Sequence, residues 1–484
     1  MSNSNGIKTW KGLSSQTIIV IIMGVLELSF FSIMSRLLNK EDFGYFAVIS
    51  AVTVIFSGLS EAGLGAASIQ KKNPSESFIN TAFSLSIIIG SIFSVLMFFS
   101  ADLLSKLTVQ DLSLSNGFRI SSIMLLFLTI NSLGRSVFMR RLDFMKYGII
   151  QILSYSLSAA VGVVLAVNGF GFYSVVWATV LNPVILFICL FLLGAIRFSF
   201  SFNSQSAKEI LSFGGWLTGS TILRSLNTQI DKLIMTRWLP ISALGMYSRP
   251  SGFITSGVDK VNSIFDVVLF PILSSIQDDK SKIVSSYYRC VTLVQLFSIV
   301  ITCLLLLGSE LIICIFLGKQ WLDVNTVFLI ISVSTIFVCY GRIADCYFRS
   351  LGEVKSYFFR RLIVLFSTIV CVYVGCQFGI VGLSLGVLIS CIIDALIRWV
   401  FLVHIIRFSV KEMIQKMLRI SALPCLFLLI SWPVKNGEIS GSVISVIIFL
   451  LLLLASIVFF PKLYGDIFYN DIYCKLIVRF INRK

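Results

Sequence analysis

Ionisable and amide side chains are sparse in this sequence, and those that interrupt its apolar runs fall at helical spacing. Arg224, Asn227 and Asp231 are three and four residues apart, with Lys232 alongside; in a helix the first three share a face. Further on, Gly252, Ser256, Asp259, Asn262 and Asp266 form a second stripe, flanked by Lys260 and preceded by Arg249 and Pro250. Glu27 stands alone in an apolar run, Arg342 and Asp345 share one segment, and Asp394 and Arg398 stand four apart on another.

The chemistry open to such groups is recognition. Guanidinium groups meet phosphate bidentately and ammonium groups meet it as point charges. Arg224, Lys260, Arg249, Asn227, Asn262 and Arg342 are the expected substrate-binding groups, with Ser220, Thr221 and Gln229 available to hydroxyls. Carboxylates inside a membrane can bind a proton or a sodium ion, so Glu27, Asp231, Asp259 and Asp266 are candidates for ion coupling. The only histidine, His404, falls at an expected helix end, and neither a Walker A sequence nor a metal-ligand spacing occurs. No catalytic residue, metal or cofactor is expected, and the chain reads as a transporter, not an enzyme.

The elements that must position these groups are membrane helices. Of 484 residues, 57% are hydrophobic and 13% charged, about half the charge of a soluble chain. Apolar runs long enough to cross a bilayer recur roughly at 14–36, 42–66, 77–100, 113–138, 147–167, 171–195, 213–237, 243–274, 286–308, 322–348, 357–377, 380–404, 415–432 and 441–461. The seventh and eighth are the most polar. The net charge of +16 does not point to nucleic acid, because the basic residues are spread over short loops. Loop Lys and Arg favour one side by roughly five to one, which places both termini in the cytoplasm. Residues 466–484 read as an amphipathic helix on the inner surface. The eleven cysteines are scattered along apolar segments and read as small buried side chains.

An internal repeat divides the spans. Arg36 precedes Gly44 by eight residues, as Arg237 precedes Gly245; Arg140, Leu142 and Lys146 match Arg349, Leu351 and Lys355; Gly169 and Ser174 match Gly379 and Ser384. The expected architecture is an all-α integral membrane protein of about fourteen transmembrane helices. An N-lobe (1–197, helices 1–6) and a C-lobe (198–411, helices 7–12) surround a central cavity, followed by helices 13–14 (412–462) and a cytoplasmic tail (463–484). A charge at the bilayer centre costs roughly 3 kcal/mol, so each interior charge should face a wet cavity or a partner. Asp394 and Arg398 read as an intrahelical pair, Arg342 and Asp345 as either, and Arg224, Asp259, Lys260 and Asp266 as cavity groups. Glu61 and Arg135, at inner helix ends, read as snorkelling surface residues.

The order Asp231-Lys232, Leu244-Gly245-Met246-Tyr247-Ser248-Arg249, Phe270-Pro271 and Gln277-Asp278-Asp279 resembles the polysaccharide-transport (Wzx-type) flippases. So do the stretch from Arg36 to Gly44 and the run Glu61-Ala62-Gly63-Leu64-Gly65. That family belongs to the superfamily of multidrug and toxin extruders and lipid II flippases, and the resemblance covers essentially the whole chain. It implies translocation of undecaprenyl-diphosphate-linked oligosaccharide units of O-antigen, capsule or exopolysaccharide. Transport would run from the inner to the outer leaflet of a bacterial plasma membrane, with a glycan polymerase and a chain-length regulator as partners. The rival readings are a cation-coupled drug exporter, a lipid II flippase, a membrane glycan polymerase or ligase, and a non-transporting scaffold. A drug exporter's cavity should be acidic and aromatic, whereas the interior charges here include at least as many Arg and Lys as Asp and Glu.

Overall fold

A computed structural model describes residues 2–60, 75–109, 111–141, 143–192, 201–276, 279–351, 354–435, 438–459 and Tyr464. The 61–65 and 277–278 parts of the motifs above, Leu142, and the tail apart from Tyr464 lie outside the described residues.

Fourteen long helices are described, one at each expected span. They are α1 (Ser2–Leu37), α2 (Lys40–Ser60), α3 (Glu76–Thr108), α4 (Ser113–Arg141), α5 (Phe144–Val167), α6 (Phe172–Leu192) and α7 (Ser204–Trp238), followed by α8 (Ile241–Ser275), α9 (Lys280–Leu307), α10 (Asn325–Ser350), α11 (Val354–Cys376), α12 (Gly379–Ile406), α13 (Val410–Ser431) and α14 (Ile439–Phe459). Twelve of them are long and apolar enough, over their described residues, to cross a membrane. The other two, α7 and α8, have 35 residues each, about 52 Å of helix. Their charged and amide side chains keep them out of the apolar set. The chain is a multi-pass membrane protein, and the polar seventh and eighth helices are where its sequence departs from lipid-facing composition.

The helices sort apolar side chains outward and small polar ones inward. Phe99, Leu192 and Phe366 are more than 70% exposed, whereas Ser35, Thr81, Ser174 and Ser384 are fully buried. A bilayer has no reason to exclude leucine, so helices here associate through close backbone approach and interhelical hydrogen bonds.

The chain forms two compact units, Met1–Arg249 and Pro250–Lys484, with the boundary inside α8. In the first, α3 packs on α4 and α7, α5 on α1 and α6, and α2 on α4 and α7. Phe78, Phe83, Leu133 and Ile210 form the core between α3, α4 and α7. In the second, α10 and α11 pack on α12, and α9 packs on α10 and α13. Leu307, Phe427, Phe449 and Tyr464 join α9, α13 and α14. The matched glycines of the repeat share one backbone state. Gly169 (φ +80°) follows α5 and Gly379 (φ +71°) opens α12, each in the turn between the fifth and sixth helices of its half. A side chain would be strained at either position.

The α13–α14 pair is fastened by a buried charge cluster. Glu310, just after α9, accepts hydrogen bonds from Asn325 (3.1 Å) and Ser442 and lies 3.8 Å from Lys435 Nζ. Lys435 donates to the Leu306 carbonyl (2.8 Å) and to Ser309 Oγ (2.7 Å). Replacing Glu310 by Ala strands a buried ammonium, so a loss of about 3 kcal/mol is expected. Thermal unfolding of the purified protein in detergent measures it, and Glu310→Gln, which keeps the Asn325 and Ser442 contacts, should lose less.

Candidate functional site

Arg249 anchors the polar centre of the first unit. Its guanidinium, 9% exposed, lies 3.3 Å from the Phe31 ring centroid and 4.0 Å from that of Phe43. Its Nε donates to Ser35 Oγ (2.8 Å), and its Nη2 donates to the Phe31 carbonyl. The cation is thus clamped between α1 and α2 by two aromatic faces and two oxygens, an arrangement suited to Arg and not to Lys.

The insertion is possible because α2 and α8 approach closely at their first turns. A Cβ on Gly44 would fall 2.1 Å from the Ile241 carbonyl oxygen, and one on Gly245 would fall 1.8 Å from that of Lys40. Each glycine meets the residue four before its counterpart, so the repeated Arg-to-Gly motifs make a reciprocal contact about a local two-fold axis. About four turns further along α2, a Cβ on Gly58 would fall 2.6 Å from Ser225 Oγ of α7.

Around this crossing lie several predicted site residues. Asp231 Oδ2 accepts a hydrogen bond from the Tyr247 hydroxyl at 2.6 Å, tying α7 to α8. Lys232 donates to Gln229 Oε1 (2.8 Å), and Asn227 Nδ2 donates to the Leu223 carbonyl (2.9 Å). Arg224 is exposed, although its neighbours on α7, Leu223 and Ser225, are buried. Glu27 is half-buried on α1; Tyr155 of α5, edge-on to Phe30 (6.3 Å), lies in electrostatic range of both Glu27 and Arg249.

The second unit carries its own charged centre. Arg360 of α11, 1% exposed, donates to Asp345 of α10 (2.6 Å) and to Asp394 of α12 (2.9 Å). Arg361 reaches Asp345 (3.0 Å) and Tyr357, and Arg398 reaches Asp394 through Nε (2.9 Å) and Nη2. The Arg398 guanidinium crosses Gly341, where a Cβ would sit 1.2 Å from Nη1. Among the described residues three arginines meet two aspartates in this cluster, and Arg360 Nε has no hydrogen-bond partner there. Lys260 and Arg342 are half-buried. Asp259, Asn262 and Asp266 lie on α8, with side chains outside the described residues.

The Asp394–Arg398 pair follows from its spacing, but Asp345 is held by α11. Sequence reasoning missed Arg360, Arg361, Tyr155 and Tyr247. The signal for the first two was available: adjacent arginines just inside a predicted span require carboxylates, and Asp345 and Asp394 were at hand.

A family model described as "Polysaccharide biosynthesis protein" matches residues 33–326, more than half of the chain, including both glycine motifs and Arg249. The chain belongs to this family. Similar sequences include the lipopolysaccharide biosynthesis protein WzxC of Escherichia coli K12, 22% identical over 81% of this chain and 79% of that one. The succinoglycan biosynthesis transport protein ExoT of Rhizobium meliloti is 26% identical over 52% of this chain and 50% of its own. Among solved structures, the lipid II flippase MurJ in an inward closed conformation superposes with a TM-score of 0.77. It is 16% identical and covers 93% of this chain and 99% of its own. This member of the polysaccharide biosynthesis family therefore has the fold of a lipid flippase.

Proposed function

We propose that the protein is a flippase that moves lipid-linked oligosaccharide units across the bacterial plasma membrane by alternating access. The reading rests on one conjunction: membership of a polysaccharide biosynthesis family in a chain that shares a lipid flippase's fold over 93% of its length. Physical chemistry supports it. A diphosphate-sugar head group cannot enter hydrocarbon unaided, whereas α7 and α8 bring charged, amide and hydroxyl side chains to bilayer depth. Arg224, Lys260 and Arg342 are the cations proposed to meet the diphosphate, and Asn227 and Asn262 the sugar hydroxyls. Arg249 would join them on leaving its clamp. Glu27, Asp231, Asp259 and Asp266 are the proposed sites of proton or sodium coupling. The protein performs no bond chemistry, its termini lie in the cytoplasm as the loop charges direct, and the cargo's chemistry makes a polymerase the consumer of its product.

Reconstitution in liposomes tests the proposal, with a lipid-linked oligosaccharide followed by its accessibility to an impermeant reagent. Transport should exceed that of empty vesicles under a proton or sodium gradient, and Arg224→Ala with Lys260→Ala should slow it about tenfold or more, the loss of two charge-assisted contacts. Rates equal to empty vesicles under both gradients would remove the flippase reading. Normal transport by the double variant would remove those two residues from it.

A further inference from the structure

At one rim of the second unit, a cleft of about 550 Å³ opens between the first turns of α9 and the end of α12. Ser281, Ser285 and Tyr288 line it from α9 at helical spacing, with Val284; Ile405, Ile406 and Arg407 close it from α12. Its depth follows from the helices themselves. The apolar run carried by α9 begins near 286 and that of α12 ends near 404, so a cleft lined by 281–288 and 405–407 lies at the membrane–water boundary, facing the inner leaflet in the orientation given by the loop charges.

Charge and shape there point the same way. Asp279 caps α9 through Ser281 and Lys282 and pairs with Lys282 at 3.0 Å; Lys416 pairs with Glu412 at 2.7 Å and lies 4.1 Å over the Tyr288 ring. Hydrogen bonding by the Ser281 hydroxyl, then the Lys282 backbone N–H, holds the Asp279 carboxyl down at about 2, so these pairs are neutral overall. Arg407 is the cation lining the cleft, and no carboxylate partners it among the described residues. It stands in a left-handed conformation (φ 59°, ψ 46°), the only non-glycine residue described there with positive φ. A glycine would end α12 at less strain, yet the position holds an exposed arginine. The Tyr288 hydroxyl fixes the wall by accepting from the Ser409 backbone N–H at 3.0 Å.

We propose that this cleft binds the phosphate head group of an anionic phospholipid of the inner leaflet, its phosphate on Arg407 and the α9 hydroxyls, and its glycerol and first methylenes on Val284, Ile405 and Ile406. The proposal rests on the membrane placement and not on the cargo: lipid retention and transport are measured separately, so one can fail without the other.

Native mass spectrometry of the full-length protein, equilibrated with equal phosphatidylglycerol and phosphatidylcholine, tests it. Wild type should retain phosphatidylglycerol several-fold over phosphatidylcholine. Arg407→Gly should abolish that preference with unchanged or raised thermal stability, since glycine suits the backbone there. Arg407→Lys should keep most of it, and Ser285→Trp, which fills the cleft, should lose it with Arg407 in place. Equal preference in wild type and Arg407→Gly would overturn the proposal. So would displacement of the bound lipid by millimolar glycerol phosphate, the mark of a soluble-phosphate site.

Discussion

Replacing Gly245 by valine should drive α8 off α2 and free Arg249 from its clamp. Even the first added carbon would lie 1.8 Å from the Lys40 carbonyl oxygen and 3.1 Å from the Gly44 nitrogen. Those are backbone atoms and cannot rotate aside as a side-chain tip would. The first turns of the two helices must separate, and the guanidinium can then no longer reach Ser35 Oγ and the Phe31 carbonyl of α1. Overpacking of this kind costs roughly 1–3 kcal/mol, equivalent to a 5- to 150-fold shift in a two-state equilibrium. The local two-fold relation sharpens the expectation: Gly44→Val should produce the same change, and the double variant should fall short of the sum because one contact is broken twice. Spin-label distances between the beginnings of α2 and α8, measured with and without the substitution, report the separation directly. An unchanged distance distribution would show that the close contact does not hold the helices together.

Asp345→Ala should be the most destabilising single change in the second unit. It removes the carboxylate shared by Arg360 and Arg361 and leaves Asp394 as the carboxylate of the cluster among the described residues. Losing one partner of a buried ion pair costs about 3–5 kcal/mol, and here the remaining charges also repel. Asp345→Asn keeps an acceptor without the charge and should cost less. Adding Arg361→Met to Asp345→Ala should recover part of the loss, because a cation is removed together with its partner. Apparent melting temperatures of the four proteins in one detergent decide it. Equal melting of wild type and Asp345→Ala would remove the cluster's structural role.

Both predictions involve residues that are only half legible in the chain. Gly44 and Gly245 stand out as a repeated motif, and nothing in the repeat says that the two copies touch. Asp394 and Arg398 announce their pairing by spacing, because i,i+4 geometry is a property of any helix. Arg249 reads as a cation available to a ligand; the structure puts it between Phe31 and Phe43, more than two hundred residues earlier. Asp345 has Arg342 three residues away and takes Arg360 and Arg361 instead.

By itself, the sequence determined the number and placement of the long helices, their lipid-facing character, and the polarity of the seventh and eighth. Each is a matter of local composition and periodicity, read within one helix length. Only the tertiary structure decided which charges meet and which glycines face a carbonyl. Interior charges must find partners, but their cost in hydrocarbon is the same whichever neighbour supplies the compensation. The choice belongs to helix packing, which brings together residues with no relation along the chain.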